Sequence, residues 1–229
     1  MTKCIVCNTA IPMEFDINHI FSKNKVICEH CIEKAYRLET RRCPTCHKKL
    51  TEDETVCLDC QFLSQYFEPF NHIFFVSDYD EWIKAQIHRY KSDGDILLSK
   101  YFATCLLKNY PKSFFYKYDY VIPIPSSIER QKLRGFRHVE TILEEAKIKY
   151  ESILVAKHRM KQSELSKIER IHQDNPFTID CEKEAILKDG MHILLIDDIY
   201  TTGLTAHHAQ KVLLHKKKLN IDMLAFARV

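Results

Sequence analysis

His192-Ile193-Leu194-Leu195-Ile196-Asp197-Asp198-Ile199-Tyr200-Thr201-Thr202-Gly203-Leu204-Thr205 is the stretch that decides how this chain is read. Four apolar residues, Ile193 to Ile196, run into two adjacent carboxylates. A hydroxyl-rich turn with one glycine follows, and then a helical pattern begins. The apolar run predicts a strand buried on both faces of a parallel sheet. Such sheets bind ligands at the carboxyl ends of their strands, where Asp197 and Asp198 fall. The turn from Thr201 to Thr205 gathers backbone N–H and hydroxyl donors at a helix N-terminus, which makes a seat for phosphate. Carboxylates beside such a seat suit a sugar phosphate, because they accept from ribose hydroxyls while the turn holds the phosphate. The spacing is neither a GxGxxG fingerprint nor a GxxxxGK[ST] loop, which weakens the nucleotide-fold alternatives. The plainer alternative is a buried strand whose aspartates only cap the next helix.

Over the 13 positions from Ile193 to Thr205, the segment resembles the phosphoribosyl-pyrophosphate (PRPP) motif of type I phosphoribosyltransferases. The resemblance implies that Asp197 and Asp198 are catalytic residues that hold the ribose hydroxyls. It implies that Thr201, Thr202, Gly203, Leu204 and Thr205 bind the 5′-phosphate, and that Mg²⁺ accompanies PRPP.

The chain has 229 residues, enough for one or two domains, and 45% of them are apolar. A net charge of +3 does not by itself indicate a nucleic-acid partner. No apolar stretch reaches the length of a membrane span. The first residues lack the apolar core of a signal peptide, so a cytoplasmic, reducing location is expected. In that setting the ten cysteines are read as metal ligands rather than disulfides. Only four glycines occur, where about 16 would be usual. Three of them, Gly94, Gly135 and Gly203, fall in candidate site segments.

Eight cysteines form four C-x-x-C pairs: Cys4/Cys7, Cys28/Cys31, Cys43/Cys46 and Cys57/Cys60. Each pair can place two thiolates on one tetrahedral Zn²⁺, so four pairs make two closed structural sites. The intervals between pairs are 20, 11 and 10 residues. Sequential pairing closes shorter loops and is favoured over an interleaved arrangement. His19, His30 and His47 are alternative ligands. Cys105 and Cys181 stand alone and read as buried small apolar residues. A segment of this size would be marginal without metal. The expected division is residues 1–64 as a double zinc ribbon and 65–229 as the larger domain.

From residue 72 onward, strand and helix patterns alternate, predicting an α/β domain with a largely parallel sheet flanked by helices. The predicted elements are strands at 72–79, 120–124, 153–155, 193–196 and 223–227, and helices at 80–90, 96–107, 139–149 and 205–215. After the strand at Tyr120 to Ile124, a predicted loop carries Arg130, Lys132, Arg134 and Arg137. Guanidinium forks bind phosphate oxygens bidentately, so Arg130, Lys132, Arg134 and Gly135 are candidates for a pyrophosphate site.

The whole arrangement resembles the ComF family of competence-associated proteins. The cysteine pairs, an I-x-x-x-K-x-x-G-D stretch at Ile87 to Asp95, Ile122 to Pro125, the Arg134-Gly135-Phe136 turn and the PRPP motif carry the likeness. Gln162, Leu165, Ser166 and Arg170 match a further Q-x-x-L-S-x-x-x-R region. The usual R-G-F-N-Q reads Arg134-Gly135-Phe136-Arg137-His138 here, which changes what Arg137 and His138 can contact. The resemblance implies a type I phosphoribosyltransferase-like fold and a role in DNA uptake and natural transformation. It implies PRPP, single-stranded DNA and other competence proteins, such as a DNA-uptake helicase, as partners. It names no acceptor. Three functions follow: a phosphoribosyltransferase, a non-catalytic single-strand DNA-binding accessory that retains the fold, or a base-salvage enzyme. For the accessory, Lys157-His158-Arg159, Lys161 and His215-Lys216-Lys217-Lys218 would contact phosphates, and Phe136 could stack on a base.

Overall fold

Ile193 to Ile196 form the core of a strand buried on both faces, and the main sheet is built around it. The computed structural model describes residues 2–12, 25–36, 40–157 and 175–229. His19, His158, Arg159, Lys161, Gln162, Leu165, Ser166 and Arg170 lie outside the described residues.

The amino-terminal segment contributes a short ribbon, β1 (Thr2–Lys3) with β2 (Ala10–Ile11), and two short helices, α1 (Glu29–Glu33) and α2 (Leu58–Leu63). Then follow β3 (Ile73–Asp78), α3 (Glu81–Lys91), α4 (Ser99–Asn109), α5 (Lys112–Phe115), β4 (Tyr120–Pro123), α6 (Ile128–Arg134) and α7 (His138–Glu145). The chain continues through β5 (Leu154–Ala156), β6 (Phe177–Ile179), β7 (His192–Tyr200), α8 (Leu204–Leu214) and β8 (Asn220–Arg228). The main sheet has four strands in the order β3-β8-β7-β4, and every pairing in it is parallel. It is a mixed α/β fold with helices against a parallel sheet.

Alternation along the strands sends side chains to two cores. Val76, Val121, Leu194, Ile196, Leu224 and Phe226 pack under α3, α4 and α7. Ile73, Phe75, Ile122, Ile193, Leu195 and Met223 pack under α8 and the β5–β6 ribbon. The cysteines divide the same way. Cys4 and Cys31 join the first core, and Cys43, Cys46 and Cys57 join the second. The two halves of the amino-terminal segment therefore cover opposite faces of the sheet.

Local chemistry fixes the helix that matters most for the site. Asp80 caps α3, its carboxylate accepting from the Ile83 N–H at 2.9 Å. Ile83, Ile87 and Tyr90 form the buried stripe of α3. His88, Arg89 and Lys91 fall in its last turn, where positive charge complements the helix dipole.

Several sequence expectations need correction. The segment after β4 is not an open loop. Residues Ile128–Arg134 form helix α6, started by Ser127 and ended by Gly135 in the left-handed region at φ 82°. The motif strand runs four residues past Ile196, because β8 continues to pair with it up to Tyr200↔Arg228. The strand expected at 153–155 does not join the parallel sheet. It is β5, paired antiparallel with β6, which sequence periodicity did not reveal. The helix expected to reach residue 149 stops at Glu145, with Lys147 at φ 55°. Cys181 is exposed in a turn rather than buried, whereas Cys105 is buried in α4. No helix among the described residues is long and apolar enough to cross a membrane.

Candidate functional site

The candidate site lies where β4 stops and β7 runs on. Pro123 of β4 pairs with Ile196, and the Ile124 N–H donates to the Ile196 carbonyl at 2.8 Å. From Asp197 onward β7 keeps β8 on one side but has lost β4 on the other. Asp197 and Asp198 thus sit at the carboxyl end of the sheet, inside the extended strand rather than after it.

The two carboxylates differ electrostatically. Asp198 forms ion pairs with Lys91 and, at 3.2 Å, with His138 Nε2. Burial alone would raise its pKa, but His138 and Lys91 outweigh burial and hold it well below the usual carboxylate range. Asp197 is pushed the other way, first by burial and then by the neighbouring Asp198 charge. Its Oδ1 accepts from the Asp198 N–H at 2.8 Å. The two carboxyls are thus pushed apart, Asp198 toward its charged form and Asp197 toward its protonated form.

Three helix ends converge on Asp198. Lys91 ends α3, Arg134 ends α6 and His138 begins α7. Arg134 Nε donates to the Lys91 carbonyl at 3.2 Å, and the Tyr90 hydroxyl donates to the His138 carbonyl at 2.7 Å. Burial lowers the pKa of Arg134, and the Asp198 charge opposes that shift. Among the described residues, Arg134 Nη1, His138 Nδ1 and Ser126 Oγ are buried polar atoms with no partner. Buried polar atoms are usually satisfied. Two of the three, on Arg134 and His138, belong to side chains that neighbour Asp198, and they fit a ligand rich in acceptors.

The phosphate turn follows β7 directly. Gly203 stands at φ 89° and caps α8, so only glycine adopts this conformation freely. A Cβ there would also overlap the Tyr200 phenol. The Leu204 N–H donates to Thr202 Oγ1 at 3.4 Å. Thr201 and Thr205 are exposed, and the first amides of α8 have no acceptor within the helix itself.

The structure brings Asp197, Asp198 and the turn Thr201–Thr205 to one end of the sheet, with Arg134 near Asp198 and Gly135 ending the helix that carries it. Arg130 and Lys132 stand exposed on α6. Phe136 packs on Tyr90, ring centres 5.1 Å apart. Lys157 is exposed, as are His215, Lys216 and Lys218 after α8, and Lys216 ion-pairs with Glu184 at 3.2 Å. Sequence reading missed Lys91 and Arg228 as site residues and left His138 undecided. Lys91 had a signal: it opens the glycine-containing segment Lys91 to Asp95. Arg228 had a weaker one, a lone cation ending the apolar run of β8.

Both cysteine clusters are assembled in sequential pairing. Cys4, Cys7, Cys28 and Cys31 have their sulfurs within 4.8 Å of one another, as do Cys43, Cys46, Cys57 and Cys60. Sulfur separations of 3.8 Å for Cys4–Cys31 and for Cys43–Cys60 match the about 3.8 Å edge of a tetrahedron with Zn–S near 2.3 Å. A hydrogen bond from Cys60 and the Arg228 charge, working against burial, bring the Cys46 thiol down to about 4. Both donor sets fit Zn²⁺. His138, Asp197 and Asp198 form a third group whose ligand atoms lie within 4.8 Å.

The two clusters buttress opposite sides of the site. Arg89 of α3 donates to the Val6 carbonyl at 2.8 Å and pairs with Asp95 at 2.9 Å, tying the first cluster to the helix that carries Lys91. Arg42 pairs with Asp78 at 2.7 Å, tying the second to the carboxyl end of β3.

Asp197 and Asp198 should respond oppositely to neutralisation. Asp198→Asn leaves Lys91 and His138 without their shared anion and should cost about 3 kcal/mol. That is a fall in melting temperature of about 6–12 °C at pH 7.5. Asp197→Asn relieves a carboxyl whose ionisation is resisted, and should leave the melting temperature unchanged or raised. The signs follow linkage. The depressed Asp198 contributes stability that is lost as pH falls through its folded pKa. The raised Asp197 contributes stability at low pH that is lost as pH rises. Thermal melts of both variants and the wild type from pH 2 to 8 check this, and equal losses for the two at pH 7.5 would contradict it.

No protein-family model matches the chain. It is 32% identical over 214 residues to Competence protein ComFC of Streptococcus pneumoniae (strain ATCC BAA-255 / R6), covering 92% of this chain and 93% of that protein. It is 27% identical over 220 residues to Competence protein ComFC of Bacillus subtilis (strain 168), covering 94% of this chain and 90% of that protein.

Proposed function

Since the chain belongs to the ComFC family of competence proteins, we propose that it serves competence and DNA uptake through a PRPP-binding site at the carboxyl end of its sheet. The observation that carries this reading is the pairing of a carboxylate dyad, one member ion-paired to Lys91 and His138, with a glycine-capped, hydroxyl-rich turn on one strand–helix junction. In this reading the turn Thr201 to Thr205 takes the 5′-phosphate, and Asp197 and Asp198 accept from the ribose hydroxyls. Arg134, with its unpartnered Nη1, faces the pyrophosphate charge. Arg130 and Lys132 supply longer-range attraction from the exposed face of α6. Mg²⁺ arrives with PRPP and offsets part of its charge. The residues 1–64 act as a metal-bound brace and 65–229 as the ligand-binding unit.

Transfer to an acceptor belongs to the phosphoribosyltransferase form of this proposal. Single-stranded DNA is the partner proposed for the exposed basic residues, in line with the family's competence role, and other competence proteins would be its working neighbours. The two functions part on one experiment. Transformation efficiency is measured in cells whose only copy carries Asp197→Asn and Asp198→Asn together. A drop of tenfold or more, with the variant expressed and folded, supports a PRPP-dependent role. Normal transformation would leave the DNA-binding accessory as the better reading.

A further inference from the structure

Arg228 is the last residue of β8 and is 2% exposed. Buried arginines need every N–H matched and a counter-charge. Its Nε donates to the Cys46 carbonyl at 2.6 Å, and Nη2 to Cys46 Sγ at 3.1 Å. Its Nη1 donates to the Tyr200 carbonyl at 3.0 Å, to the Thr201 carbonyl at 2.7 Å and to the Val229 carbonyl. The guanidinium also lies 5.3 Å from the centre of the Tyr200 ring. That ring occupies the space a Cβ on Gly203 would need. Asp78, the register neighbour of Arg228 on β3, is already engaged by Arg42.

One side chain thus holds a cysteine of the second cluster with two donors and the start of the phosphate turn with a third. Arginine alone offers this fork. A lysine ammonium is a single point with three donors and cannot span both sets of acceptors. The acceptors at Cys46 are fixed only while its cluster is fixed, and four thiolates around a divalent ion also leave net negative charge beside the guanidinium.

We propose that Arg228 is a positioning residue that couples metal occupancy of the Cys43/Cys46/Cys57/Cys60 cluster to the order of the turn Tyr200–Thr205. With metal bound, Cys46 anchors the guanidinium, and the guanidinium pins the Tyr200 and Thr201 carbonyls. When the metal leaves, the anchor is free to move and the turn loses its clamp. The coupling is reciprocal, so a ligand that orders the turn slows metal loss. Its bearing on ligand affinity rests on the reading of this turn as a phosphate seat. The coupling itself does not need that reading. Among the described residues, the first cluster is linked through Arg89 to α3 rather than to this turn.

Amide hydrogen exchange tests it on the full zinc-loaded chain with no ligand added. Arg228→Lys should speed exchange at 201–205 by about tenfold or more, the loss expected when charge-assisted hydrogen bonds go. It should also speed zinc release from the second cluster and spare the first, with cysteine alkylation mapping showing which cluster empties. If that variant does not fold, the wild-type chain is titrated with a chelator. Exchange at 201–205 should then rise in step with loss of zinc from the second cluster. Unchanged turn exchange in folded Arg228→Lys, or in wild-type protein whose second cluster has been emptied, overturns the proposal. A parallel melt with PRPP and Mg²⁺ reports on the phosphate-seat reading separately. Absence of a PRPP shift beside a positive exchange result would refute the seat and leave the coupling standing.

Discussion

Protein stripped of metal will lose its amino-terminal fold. Each cysteine cluster stands to gain roughly 10–16 kcal/mol of apparent folding energy from zinc, as small structural zinc sites do. That exceeds the whole stability of a typical domain. Elemental analysis of the purified chain should return close to two zinc equivalents, and removing them should abolish cooperative melting of the amino-terminal segment, residues 1–64. The damage should not stop there. Cys4 and Cys31 lie in the core under α3 and α4, and Cys43, Cys46 and Cys57 lie in the core on the other face. Cys43→Ser, read from the cysteine pairs alone, should unfold the amino-terminal segment more than it touches PRPP binding. With Arg228 joining Cys46 to Tyr200 and Thr201, the same substitution should disturb the turn as well. Near-zero zinc in a chain that melts normally would end the metal reading.

Substitution of Gly203 should have the next largest effect. Gly203→Val combines a left-handed backbone with overlap of the Tyr200 phenol, which Arg228 and Phe75 hold in place. We expect a loss of about 3 kcal/mol or more, in the range reserved for strain at special backbone positions. Gly135→Ala is the matched comparison. It has φ 82°, close to the 89° of Gly203, but a Cβ there meets nothing within 4 Å. It should cost only the left-handed penalty of about 1–2 kcal/mol. Melts of the two variants separate backbone strain from steric overlap. Equal losses would show that the Tyr200 ring yields freely.

Much of this was legible in the sequence because the signals were local. Four aliphatic residues in a row dictated the central strand, and paired cysteines dictated the two clusters. The part that stayed hidden is tertiary. Whether residues 128–134 coil or form a helix depended on Ser127 and Gly135 acting as caps, which a run of cations obscured. The partners of Asp198 come from 107 and 60 residues earlier in the chain, Lys91 and His138 respectively, and no spacing rule reaches that far. The strand end at Ile196 was misjudged because carboxylates usually mark a boundary. Here β8 supplies backbone pairing for them up to Tyr200. Arg228 gave least warning, since only the docked second cluster makes its burial sensible.

The central claim is that the site binds PRPP. Calorimetric titration of PRPP with Mg²⁺ into the zinc-loaded chain, with a melt at saturation, tests it most directly. The account predicts one saturable site. It predicts a stabilisation of about 2.7 kcal/mol when ligand stands at a hundred times its dissociation constant, and loss of both heat and shift in Thr202→Val. No heat and no shift at millimolar PRPP, with protein folded and carrying two zinc equivalents, would contradict it.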